Sequence, residues 1–130
     1  MIALDTSVLI RFITEDDPRQ AAASRALLDA LGETFFASDV VLVELVWTLR
    51  RLYHFSRDET ATVLQSLLDR TDFVVEDRQE TQRAVRNMAR GRDFADALIL
   101  SKARTKGCSR LATFDEELAE HHPDFVVRPK

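Results

Sequence analysis

Ile2-Ala3-Leu4-Asp5-Thr6-Ser7-Val8-Leu9-Ile10 opens the chain with a short apolar run, stops it at an acid, and then resumes apolar. The first run reads as a buried strand over residues 2–5, ended by Asp5-Thr6-Ser7, with a first helix over 6–13. Moving outward, Asp17-Pro18 supplies an N-cap with proline at the first helical position, predicting a helix to about Leu31 that Gly32 stops. Residues 34–37 read as a strand, and Ser38 or Asp39 caps an apolar helix to about Tyr53. Ser56 with Glu59 forms a capping box for a helix to about Arg70, and residues 72–76 (DFVVE) read as the third strand.

Ala84, Val85, Met88 and Ala89 share one face of a helix over 79–90, with Arg83, Arg86 and Arg90 on the other. Asp93 caps the next helix, which runs to Lys106 and ends at Gly107; a strand follows over 110–114, then a short helix from Asp115 and a fifth strand at 125–127. Short strands separated by helical segments mean right-handed crossovers and parallel pairing. The fold class expected is α/β, a three-layer α/β/α sandwich around a central parallel sheet of four to five strands, in one domain over 1–130.

The 130 residues are 45% hydrophobic and 31% charged, enough to bury a core without disulfides, and Cys108 is alone. The opening apolar stretch is broken by Asp5 and ended by Arg11. It predicts neither a signal peptide nor a membrane span, and a cytoplasmic protein is the expectation. The net charge is −4, yet nine basic residues lie between Arg78 and Arg110 against only Glu80, Asp93 and Asp96. Fifteen of the eighteen basic residues are arginine, the side chain suited to bidentate phosphate contact. The Arg83, Arg86, Arg90 and Arg92 group is read as solvent-facing or as a contact for RNA or a protein partner.

Four acids interrupt apolar segments. Asp5 ends the first strand, Glu44 is the only charge in Val40–Leu49, Asp96 heads the stripe Ile99, Leu100, Ala103, and Asp115 closes Leu111–Phe114. Each has an ordinary alternative: turn residue for Asp5, exposed helix residue for Glu44, N3 position for Asp96, N-cap for Asp115. Asp93 reads first as an N-cap and second as support for a metal site. In an open parallel sheet, ligands bind beyond the carboxyl ends of the strands, where all four acids can converge. Two carboxylates about 4 Å apart repel by about 4 kcal/mol at an effective dielectric of about 20, so convergence calls for a cation. An all-oxygen set without Cys or His selects Mg²⁺ or Mn²⁺, and a metal held by acids suits phosphodiester hydrolysis. His54, His121 and His122 have no ligand spacing and read as surface residues; Trp47 reads as core or interface packing. A phosphatase or phosphorelay receiver is disfavoured because Ser7 stands where the phosphatase motif expects a second Asp, and the receiver's acidic pair and late lysine are not in place.

LDTSVLI, VLVELVWTL, DFADALIL and GCSRLATFD, in this order and spacing, resemble the PIN-domain ribonucleases and especially the VapC-type toxins of toxin–antitoxin pairs. The resemblance covers essentially the whole chain. It implies that Asp5, Glu44, Asp96 and Asp115 bind one or two Mg²⁺ or Mn²⁺ ions, with Thr6 and Thr113 as supporting hydroxyls. It further implies an RNA substrate, a homodimer and a small VapB-like antitoxin. The competing expectation is a non-catalytic PIN-like module that binds RNA or protein.

Overall fold

A computed structural model describes residues 1–130 as seven helices and five parallel strands. Strand β1 (Ile2–Ala3) leads into α1 (Thr6–Thr14) and α2 (Pro18–Leu28), then β2 (Phe35–Ala37). Helices α3 (Asp39–Arg51) and α4 (Arg57–Leu68) connect it to β3 (Phe73–Val75). Helices α5 (Arg78–Ala89) and α6 (Phe94–Thr105) lead to β4 (Leu111–Ala112), followed by α7 (Glu116–His121) and β5 (Val126–Val127). Helical crossovers, two helices each between β1, β2, β3 and β4 and the single α7 between β4 and β5, bring each strand back in the same direction, which is why every pairing is parallel. The result is an α/β sandwich.

Local chemistry sets the boundaries. Asp17 caps α2 through Gln20 N–H with Pro18 at N1, and Ser38 rather than Asp39 caps α3 by accepting from Val41 N–H. Ser56 and Glu59 complete the capping box of α4 in both directions, at 3.0 and 2.9 Å. Helix α2 ends at Leu28, three residues before the expected Leu31, because Asp29 already closes the last turn by donating to Arg25 and Leu27 carbonyls.

The sheet departs from expectation. Instead of one sheet of four to five strands, β1, β2 and β3 form one ladder in the order β1-β2-β3, and β4 and β5 form a second. Ile2 pairs with Phe35 and Phe35 with Phe73 in the first; Leu111 pairs with Val126 in the second. The strand expected over 110–114 is regular only over two residues, and the Thr113 N–H continues onto the Val127 carbonyl, not onto β1. Packing follows the same division. The main core, including Leu9, Phe35, Leu42, Leu45, Leu49 and Leu64, is built on the first ladder; Leu100, Phe125 and Val126 form a smaller cluster that fastens the second ladder to α6. Helix α6 belongs to both, since its Phe94 and Leu98 sit in the main core.

Candidate functional site

Asp5 follows β1 and is the N-cap of α1. Its Oδ2 accepts from the Ser7 hydroxyl at 2.8 Å and, more weakly, from Ser7 N–H at 3.4 Å; the hydroxyl bond, chiefly, holds its carboxyl below the usual range. Thr6, buried beside it, donates from Oγ1 to Glu44 Oε1 of α3 over a long 3.4 Å. Asp5, Thr6 and Glu44 thus form one group at the end of β1.

Asp96 belongs to a second group. Asp93 caps α6, its Oδ1 accepting from Asp96 N–H at 2.9 Å, and Asp115 caps α7 in the same way through Leu118 N–H at 3.0 Å. Burial pushes the Asp96 carboxyl above its ordinary range, and Asp93, Asp115 and Glu117 add to the shift by repulsion. Thr113 supports Asp115 through the backbone, its Oγ1 accepting from Asp115 N–H at 3.0 Å. The structure brings Asp96, Asp93 and Asp115 to one cavity and leaves Asp5 and Glu44 outside its lining. No group of three or more His, Cys, Asp or Glu side chains stands close enough to hold a metal ion. The division of the acids mirrors the packing, since Asp5 and Glu44 ride on the main core while Asp115 rides on the second ladder.

Of the four acids that interrupt apolar segments, only Asp96 is partly buried, and the cavity around it is lined mostly by polar and charged side chains. Asp5 and Asp115 are exposed because N-caps sit at helix ends, and Glu44 is exposed because it points away from the face of α3 that buries Leu42, Leu45 and Leu49. Trp47, on the same outer side of α3, is 55% exposed and is no part of the core. The donor chemistry nevertheless suits a hard cation: all donors are oxygens, and Oδ1 of Asp5 and Oδ2 of Asp115 accept no hydrogen bond.

The cavity, about 870 Å³ in volume, lies among α4, α5, α6 and α7. Of the arginines singled out in the sequence, Arg83 and Arg92 line it; Arg86 and Arg90 do not. Arg57 of α4 and Arg104 of α6 line it as well, together with His121 and His122. The Arg92 guanidinium is in contact with the His121 ring. The histidines escaped sequence reasoning because nothing in their spacing says that α7 folds over this cavity. Arg57 escaped it because the residue lies outside the basic segment; only tertiary packing brings it in. Burial and the nearby Arg104 lower the pKa of His122.

The sequence is 26% identical over 117 residues to a VapC ribonuclease of Aquifex aeolicus (strain VF5), an alignment covering 88% of this chain and 87% of that protein. The model of the PIN domain matches residues 2–122. With parallel strands, paired connecting helices and acids after β1 and β4, the chain belongs to the PIN-domain family.

Proposed function

We propose that this chain is a divalent-cation-dependent endoribonuclease and the toxin partner of a VapB-like antitoxin. The single observation that carries the reading is the Asp96–Asp115 acid group inside an arginine-lined cavity of a PIN fold. The relative from Aquifex aeolicus, described as a ribonuclease, supports the same reaction class.

Asp5, Glu44, Asp96 and Asp115 would hold Mg²⁺ or Mn²⁺, one or two ions per site. When bound, the ion supplies charge neutralisation at the phosphate and a more acidic attacking water. Thr6 orients Glu44, and Thr113 fixes the turn that presents Asp115. Asp93 fixes the first turn of α6 and adds repulsion that favours cation uptake at Asp96. The products are RNA fragments with 5′-phosphate and 3′-hydroxyl ends. A homodimer is proposed on the exposed Val40 and Trp47 of α3. No helix is long and apolar enough to cross a membrane, in keeping with a cytoplasmic toxin.

A second reading, a PIN-like module that binds RNA or protein without cutting, is favoured by the separation of the acids into two groups. An RNA-cleavage assay with and without Mg²⁺ decides between them. The nuclease reading expects cation-dependent cleavage that falls by about a hundredfold or more in Asp5→Asn and in Asp96→Asn. Wild type that binds RNA but leaves it intact with Mg²⁺ or Mn²⁺ establishes the binding module instead.

A further inference from the structure

We infer that the cavity between α4, α5, α6 and α7 is a subsite for RNA backbone phosphates flanking the cleaved bond, with Arg57, Arg83, Arg92 and Arg104 as its grip. The inference rests on the ribonuclease reading for its substrate, and on the geometry below for its residues. Four guanidiniums from the α4 start, mid-α5, the α5–α6 turn and the end of α6 line one concave surface. None forms an ion pair with a carboxylate, although Asp93, Asp96, Asp115 and Glu117 line the same space. Outside the cavity Arg11, Arg25, Arg70 and Arg128 pair with carboxylates and the other seven arginines do not, so what sets this group apart is that four unpaired guanidiniums share one concave surface. Cations that are gathered and left unpaired keep their donors available for an incoming anion.

The backbone makes room for this arrangement. Gly91, at φ +102°, lies beside Arg57, and a Cβ there would stand 3.3 Å from the Arg57 guanidinium. Arg104 is braced over the Phe125 ring at 4.2 Å from its centroid. Phosphodiester backbone fits the lining better than a protein partner does. Among the lining residues only Ala97, Leu100 and Leu118 are apolar, so this cavity itself offers little area for an apolar anchor; the apolar groove with Val43, Val46 and Trp47 lies beside it, on the other side of Arg57 and Arg92. Asn87, Ser101 and Thr105 add neutral polar groups suited to phosphate and sugar oxygens.

The test is binding of a short, single-stranded RNA, kept intact by a chelator that withholds the divalent ion, measured by fluorescence anisotropy across a salt series. Arg57→Gln, Arg83→Gln and Arg104→Gln should each weaken binding by about tenfold and flatten the salt dependence by about one ion. Arg86→Gln, on the same helix as Arg83, and Arg90→Gln, at that helix's C-cap, both outside the cavity, should change affinity by no more than about twofold. Thermal melting identifies any variant that unfolds, and for such a variant Arg→Lys replaces Arg→Gln. Equal losses inside and outside the cavity overturn the subsite. So does unchanged RNA binding together with lost binding of an acidic polypeptide, which assigns the surface to a protein partner. Because the oligonucleotide is bound without a divalent ion, this outcome is independent of whether wild type cleaves RNA.

Discussion

Asp96 carries the tension of the site. Its charge is opposed first by burial and then by the neighbouring Asp93, Asp115 and Glu117 carboxylates, so its ionised form gains from a cation. Asp5 is the reverse case, already satisfied by Ser7 and shifted downward. A comparable local arrangement away from the site permits a pH test. Asp16 is held at a pKa of about 2, first by the Tyr53 hydroxyl at 2.6 Å, with Thr14 and Arg11 assisting. A folded pKa below the unfolded one gives stability that is present above about pH 4 and is lost as pH falls toward 2. Tyr53→Phe should therefore be less stable than wild type near neutrality, with the gap narrowing as the solution is acidified through that window. Urea unfolding at stepped pH measures it, and a gap that stays constant would rule out Asp16 as the cause.

Among the elements, α6 decides the most, because it packs in the main core, anchors the second ladder and carries Asp96. An ionic clamp fixes its far end. Lys102 lies 3.0 Å from Glu80 of α5 and 3.1 Å from Asp39 of α3, and Thr105 donates to Glu80 at 2.7 Å. Glu80 is only 3% exposed, and the two acids raise the Lys102 pKa. Lys102→Met would leave Glu80 buried without its counter-ion and should cost about 2–3 kcal/mol, less than for a fully buried pair because Lys102 reaches solvent. Adding Glu80→Gln should recover most of that loss in chemical denaturation. Additive losses in the double variant would show that the pair is not coupled. At this scale the sequence was easy to read where caps are local: Asp17-Pro18, Ser56 with Glu59, and Asp93 each lie within one turn of the groups they satisfy. It misled at β4, where the β-prone run to Phe114 is cut short after Ala112, and it left Trp47 open between core and interface, because apolar character says nothing about which side of α3 faces inward.

Across the whole molecule, the two ladders set the distribution of the acids, with Asp5 and Glu44 on one packing unit and Asp115 on the other. An ion shared by all four would tie these units together. Mn²⁺ should then raise the melting temperature and slow hydrogen exchange through residues 111–118 in wild type but not in Asp115→Asn. At an ion concentration a hundred times its dissociation constant, the gain is about 2.7 kcal/mol. Protection confined to the neighbourhood of Asp96, unchanged by Asp115→Asn, would mean that the ion does not bridge the units. The sequence by itself determined the α/β class, the parallel direction of the strands, most helix ends and the identity of the candidate acids, because periodicity, caps and the positions of acids beside apolar runs are written within a few residues. Tertiary structure alone decided that the strands form two ladders, that Asp96 is the desolvated acid, and that Arg57, Arg104 and two histidines share its cavity. Those outcomes depend on which helix faces meet, and that is set by contacts between residues far apart in the chain.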